Sequence, residues 1–118
     1  MRENIRLGKY ITFTPTAAQT LEDIALWTME NFGPGQADVY LSALLSRCDA
    51  LLKDDVFYRR PASFSAEFPD TPLLLAKAES HFIVFAEIGD EYLIIDFLHE
   101  RSDLPAKLEK LSERFKAN

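Results

Sequence analysis

The sequence predicts an α+β fold in which an N-terminal helical hairpin packs on a small, mainly antiparallel twisted sheet. Two observations lead to this prediction: apolar residues recur at helical spacing in the first half of the chain, and they form short runs between turn residues in the second half. The expected order is β-α-α-β-β-β, followed by a short C-terminal helix. With 118 residues, 47% of them hydrophobic, residues 1–118 should form a single domain.

The first predicted strand, Tyr10 to Phe13, leads directly into the first helix. Thr14 is a good N-cap, and Pro15 suits the first helical position, where its missing N–H costs nothing. Gly33-Pro34-Gly35 ends the helix and turns the chain. The helix has one apolar face, formed by Leu21, Ile24, Ala25, Thr28 and Phe32. We expect the first strand to join the sheet beside one of the later strands.

A second helix is predicted from about Gly35 to Lys53, and the short connection should make the two helices an antiparallel hairpin. Its apolar stripe consists of Val39, Tyr40, Ala43, Leu44, Cys48, Leu51 and Leu52. Cys48 is the only cysteine, so it cannot form an internal disulfide, and we expect a buried free thiol. This cysteine usage favours a reducing compartment, most simply the cytoplasm.

Residues 54–72 follow neither a helical nor a strand period. Their three prolines and scattered aromatic residues predict a long ordered loop, anchored by Phe57, Phe64 and Phe68. The sequence assigns no role to this loop.

Three strands are predicted over residues 73–79, 81–88 and 91–99, with Gly89-Asp90 as a tight hairpin turn. The last two strands are apolar on both faces. One face should pack on the helical hairpin, and the other needs a cover, either the C-terminal tail or another protein. The tail, residues 104–116, has the spacing of a short amphipathic helix at Leu104, Leu108, Leu111 and Phe115.

The charge balance argues against a nucleic-acid-binding protein. Net charge is −6, from 13 basic and 19 acidic residues, whereas displacement of counterions from nucleic acid needs clustered Lys and Arg. We find no apolar run long enough to span a membrane and no signal-peptide core, which predicts a soluble intracellular protein. Two histidines and one cysteine lack zinc-ligand spacing, and the four glycines form no phosphate loop, so neither metal nor cofactor is expected.

The polar run from His99 to Asp103, at the end of the last strand, has two interpretations. In a catalytic one, His99 is a general acid or base and Arg101 a phosphate clamp, as RNA cleavage requires. In a structural one, which we favour, Asp103 caps the final helix and His99 hydrogen-bonds a neighbouring strand. Counting outward from the hairpin turn pairs His81 near residue 98, so the two histidines should be neighbours. The apolar strand between them and the turn favours binding over cleavage.

These stretches together resemble the ParE branch of the RelE/ParE superfamily of bacterial type II toxins, over Tyr10 to Leu108. The segment FTPTAAQTLEDIALWT is similar to the family's Ser/Thr-Pro-x-Ala opening and Asp-Leu-x-x-Ile helix. NFGPGQADVY is similar to its Gly-x-x-Gln-Ala link. AESHFIVFAEIGDEYLIIDFLHERSDLP is similar to its Gly-Ser-His strand, hairpin turn and closing Leu-His-x-Arg-x-Asp.

The resemblance implies a toxin of a toxin–antitoxin module of the plasmid-stabilisation kind. Such a toxin binds and inhibits DNA gyrase in the cytoplasm without a cofactor. A small cognate antitoxin, wrapping the sheet and the helical hairpin, neutralises it. On this basis we expect no catalytic residue, and we expect the target or antitoxin surface to include Arg60, Lys77, His99 and Arg101.

The alternative function is a ribosome-dependent messenger-RNA endoribonuclease of the RelE kind. His81, His99 and Arg101 are then the available acid, base and clamp. The sequence departs from the family where Gly-Ser-His becomes Glu79-Ser80-His81, and where a tyrosine and an arginine common near the end of the middle strand become Phe85-Ala86. These departures weigh against cleavage and leave open a degenerate, inactive toxin.

Overall fold

In this computed structural model, which describes residues 9–53, 58–59 and 71–116, five strands form one mixed sheet between two helical layers. The elements are, in chain order, β1 (Tyr10–Phe13), α1 (Pro15–Phe32), α2 (Pro34–Leu51), β2 (Tyr58–Arg59), β3 (Leu74–Ala78), β4 (His81–Ile88), β5 (Glu91–His99) and α3 (Leu104–Lys116). The strand order is β1-β5-β4-β3-β2. The predicted α+β class and order are confirmed. Among the described helices, none is both long and apolar enough to cross a membrane.

The first strand lies at one edge of the sheet, beside the last. β1 runs parallel to β5, with Tyr10 opposite Glu91, and the other neighbouring strands are antiparallel. At the other edge, the two-residue strand β2 pairs with β3. The prediction that residues 54–72 hold no strand was therefore wrong at Tyr58–Arg59, because two residues are too few to show a period. Arg60 and the proposed anchors Phe57, Phe64 and Phe68 lie outside the described residues.

Caps set the ends of the helical hairpin. The hydroxyl of Thr14 accepts the Ala17 N–H (3.0 Å) and donates to the Ile95 carbonyl (2.7 Å), so the start of α1 is tied to β5. Gly33 has φ +96°, which favours glycine, and its N–H donates to the Met29 carbonyl (2.9 Å). Asp103 caps α3 through the Ala106 N–H (3.3 Å), as predicted.

Each face of the sheet has its own apolar core. The hairpin-side core, between the sheet and α1–α2, includes Leu44, Cys48, Phe85 and Ile94. The α3-side core, on the opposite face, consists of Leu73, Leu75, Phe82, Val84, Ala86, Ile95, Leu98, Leu104, Leu108 and Leu111. Of the two covers that the sequence allowed for the second face, the C-terminal tail is therefore the one observed.

A β-bulge in β5 changes the register of the central hairpin. Phe85 lies opposite Ile94, but Val84 lies opposite Asp96, so β5 contains one extra residue. The bulge places Ile95 in the α3-side core and turns Asp96 toward α1, where it accepts the Thr20 hydroxyl (2.7 Å). The shift also explains why His81 pairs with His99 and not with residue 98.

Candidate functional site

A cavity of about 780 Å³, the hairpin cavity, lies where the helical hairpin meets one end of the sheet. One side is formed by residues of α1, namely Asp23, Ile24, Trp27, Thr28 and Phe32. The rest of the lining comes from α2 and from the ends of β4 and β5, through Gln36, Tyr40, Ser80, His81 and His99. Cavities of this volume fall within the range of sites that hold a drug-sized molecule (about 300–1,000 Å³).

Two aromatic rings of the cavity are largely open to solvent. Trp27 is 58% exposed and Phe32 is 65% exposed, and their rings meet edge to face with centroids 5.8 Å apart. The sequence predicted Phe32 as part of an apolar face, and the structure shows that this face continues past the sheet into the cavity. Exposed rings grouped in this way are typical of binding surfaces.

Tyr40 joins α2 to the start of β4. Its hydroxyl oxygen accepts the Ser80 N–H (3.0 Å), and the hydroxyl lies 2.7 Å from Nδ1 of His81. A tyrosine hydroxyl can accept one hydrogen bond and donate another, so Tyr40 can bond the Ser80 N–H and an unprotonated Nδ1 of neutral His81 at the same time. The His81 ring is thus held in place by a hydrogen bond to a residue of α2.

The two histidines are neighbours, as the hairpin count predicted. Their rings lie edge to face with centroids 5.1 Å apart. Burial lowers the pKa of His81 from 6.5 to about 4, and the adjacent His99 ring contributes in the same direction, so His81 is neutral at neutral pH. Nδ1 of His99 accepts a hydrogen bond from the backbone N–H of Arg101 (3.0 Å), within the turn that follows β5. The expected hydrogen bond from the His99 ring to a neighbouring strand is therefore not the one observed.

The turn that carries Ser80 departs from the glycine expected by resemblance. Glu79 occupies the position of that glycine and has φ +54°, in the left-handed region. A side chain there is strained because its Cβ approaches the backbone carbonyl. The positive φ of Glu79 therefore lowers the stability of the fold relative to a chain with glycine at this position.

The residues proposed for the binding surface do not all meet at the hairpin cavity. Lys77 alternates with Ala76 and Ala78 of the hairpin-side core, so its side chain lies on the opposite face, 5.6 Å from the Phe82 ring and paired with Glu100 (2.9 Å). That ammonium group holds the pKa of Glu100 below its ordinary value.

Of the other two proposed residues that the structure describes, one reaches the cavity. His99 lines it, whereas Arg101 is exposed on the turn beyond β5 and is not part of the lining. Arg60 is not among the described residues.

The lining combines aromatic and apolar side chains with a few polar groups. Among residues that the structure describes, the lining includes one carboxylate, Asp23, and neither lysine nor arginine. Over the same part of the chain, we find no group of three potential metal ligands. Sequence reasoning did not identify Asp23, Trp27 or the hydroxyl of Tyr40 as site residues. The spacing of four between Asp23 and Trp27 places them on one helix face and is the signal that was available.

Comparison with known protein families identifies one that matches most of the chain. The model of the family described as "ParE toxin of type II toxin-antitoxin system, parDE" matches residues 11–104. Among solved structures, the chain is similar to one titled "Chromosomal ParDE TA system from P. aeruginosa". That match has 19% identity and a TM-score of 0.62, and it covers 77% of this chain and 95% of the other. At this identity, the match shows the fold alone. No curated protein sequence matches the chain.

Proposed function

Because the chain belongs to the ParE toxin family of type II toxin–antitoxin systems, we propose that it binds and inhibits DNA gyrase in the cytoplasm, and that a small cognate antitoxin neutralises it. The observation that carries this proposal is the hairpin cavity, an open site lined by exposed aromatic rings. Aromatic anchors in a concave surface are the residues that usually dominate protein–protein affinity.

The same cavity is poorly equipped for RNA cleavage. A phosphodiester needs a cationic group near it, and a general base works best with a pKa near the operating pH. The described lining has neither lysine nor arginine, and the pKa of His81 is about 4 with Nδ1 bonded to Tyr40. These features support an inhibitor that acts by binding and has no catalytic residue.

Supercoiling by purified gyrase tests the proposal. An excess of the protein should block supercoiling, and Trp27→Ala should weaken inhibition at least about tenfold, the loss typical of a buried aromatic anchor. Leu26→Ala is the matched control, because Leu26 is 52% exposed on the same helix but does not line the cavity. Normal supercoiling in excess wild-type protein would refute the proposal.

Protein synthesis in the first minutes after induction separates the alternatives. Sustained synthesis with growth arrest and a DNA-damage response supports gyrase as the target. A prompt collapse of synthesis favours the endoribonuclease, and alanine at both His81 and His99 should then abolish toxicity. Normal growth indicates an inactive toxin.

A further inference from the structure

The helical hairpin that borders the cavity is acidic. Helix α1 contains Glu22, Asp23 and Glu30 and no basic residue, and α2 contains Asp38, Asp49 and one arginine. Five acidic groups against one basic group give the hairpin a net charge of −4. Because His81 is neutral at neutral pH, it does not offset this charge at the inner end of the cavity. A cationic group is therefore favoured here over an anionic one.

Asp23 and Trp27 are one helical turn apart on the cavity side of α1. The Asp23 Oδ1 accepts a hydrogen bond from Gln19 (3.1 Å), which restrains the carboxylate, and from the described part of the chain Oδ2 accepts none. The neighbouring indole is 58% exposed, and the Phe32 ring lies edge to face with it at a centroid distance of 5.8 Å. A restrained carboxylate next to an open indole is the combination that binds a guanidinium group, through ion pairing and cation–π contact together.

We propose that the hairpin cavity receives an arginine side chain of the antitoxin, flanked by apolar residues, with the guanidinium between Asp23 and Trp27. Arginine fits better than lysine because its planar group can lie on a ring and still donate two hydrogen bonds to a carboxylate. The cavity volume, about 780 Å³, exceeds what one side chain fills, so apolar neighbours of the arginine complete the fit against Ile24 and Phe32. The identity of the partner rests on the proposed function.

Trp27 is the only tryptophan, so its fluorescence reports directly on the cavity. The probe is the capped peptide acetyl-Leu-Arg-Leu-amide, titrated against the full chain beside the same peptide with glutamine or glutamate in place of arginine. The arginine peptide should give a saturable change in emission, and the glutamine peptide should bind about tenfold more weakly, since it lacks the charge-assisted contacts. The glutamate peptide should bind most weakly of the three.

The matched variants are Asp23→Asn and Asp38→Asn. Both remove one negative charge from an exposed helical position, but Asp38 does not line the cavity. The first should weaken binding of the arginine peptide about tenfold and abolish its advantage over the glutamine peptide, whereas the second should leave both unchanged.

Two results would overturn the inference: equal binding of the arginine and glutamine peptides to the wild-type chain, or equal losses in the two variants. The peptide comparison decides even if Asp23→Asn fails to fold. Because the titration contains no gyrase, peptide binding that fails while supercoiling is inhibited overturns this inference alone. Specific peptide binding without any effect on gyrase overturns only the proposed target.

Discussion

At the scale of single residues, Tyr40 organises the inner end of the hairpin cavity. Its hydroxyl meets the backbone of Ser80 and the ring of His81, 40 and 41 residues along the chain. These hydrogen bonds pair the tyrosine hydroxyl, so Tyr40 can occupy a position in a largely apolar stripe without an unpaired polar group. The arrangement also keeps His81 neutral, because protonation would place a charge on a partly buried ring beside a second histidine.

The depressed pKa of His81 predicts a loss of stability in mild acid. The unfolded chain binds a proton at this ring below about pH 6.5, and the folded chain only near pH 4, so stability present above pH 6.5 is lost as the pH falls between these values. Since the ring is only partly buried, we expect a loss of about 1–2 kcal/mol. Urea unfolding of wild-type protein and His81→Asn, whose Oδ1 can still accept from Tyr40, measures it. Equal pH dependence in both proteins would contradict the prediction.

The positive φ of Glu79 predicts that glycine stabilises the β3–β4 turn. Glu79→Gly removes the left-handed strain at φ +54°, at some cost in unfolded-chain entropy, for a net gain of about 0.5–1 kcal/mol. The converse control is Gly89→Ala, at φ +60° in the next turn, which should destabilise by a similar amount. Thermal unfolding of both variants provides the measurement, and a loss of stability in Glu79→Gly would show that the turn is not strained.

At the scale of elements, α3 covers the face of the sheet that the helical hairpin leaves open. The central strands are apolar on both faces, and the helical hairpin covers only one of them. Leu104, Leu108 and Leu111 cover the other, which keeps a large apolar surface from water. Because α3 already covers its face of the sheet, a partner has better access to the hairpin cavity and to the outer surface of α1 and α2.

This packing predicts a large cost for shortening one leucine of α3. Leu108 is fully buried, so Leu108→Ala should reduce the free energy of unfolding by about 2–4 kcal/mol through lost burial and a cavity. Lys107→Ala, at the exposed neighbouring position, should change it by less than about 0.5 kcal/mol. Denaturant unfolding compares the two. Equal effects would mean that α3 does not pack on the sheet in solution.

At the scale of the whole molecule, the elements that the sequence predicted are those that follow from a repeated local pattern of apolar and turn residues. The helical hairpin, the three closing strands and α3 all follow from apolar spacing and turn residues, and the turn at Gly89 was enough to bring His81 and His99 together. The bulge at Ile95 was not predictable, because adjacent apolar residues give no sign of which face each takes. Nor was the role of Tyr40, whose partners are distant in sequence.

The sheet is shared by both cores, so we expect the two layers to unfold as one cooperative unit, and Cys48 can test this. The thiol belongs to the hairpin-side core, is 1% exposed, and has a pKa raised by burial to about 12, so labelling by a thiol reagent requires opening of that layer.

If Leu108→Ala lowers the free energy of unfolding by about 3 kcal/mol, the open population rises, and labelling that is limited by this population should accelerate about a hundredfold. Lys107→Ala should leave the rate unchanged. An unchanged rate in Leu108→Ala, despite its lost stability, would mean that the helical hairpin opens independently of α3.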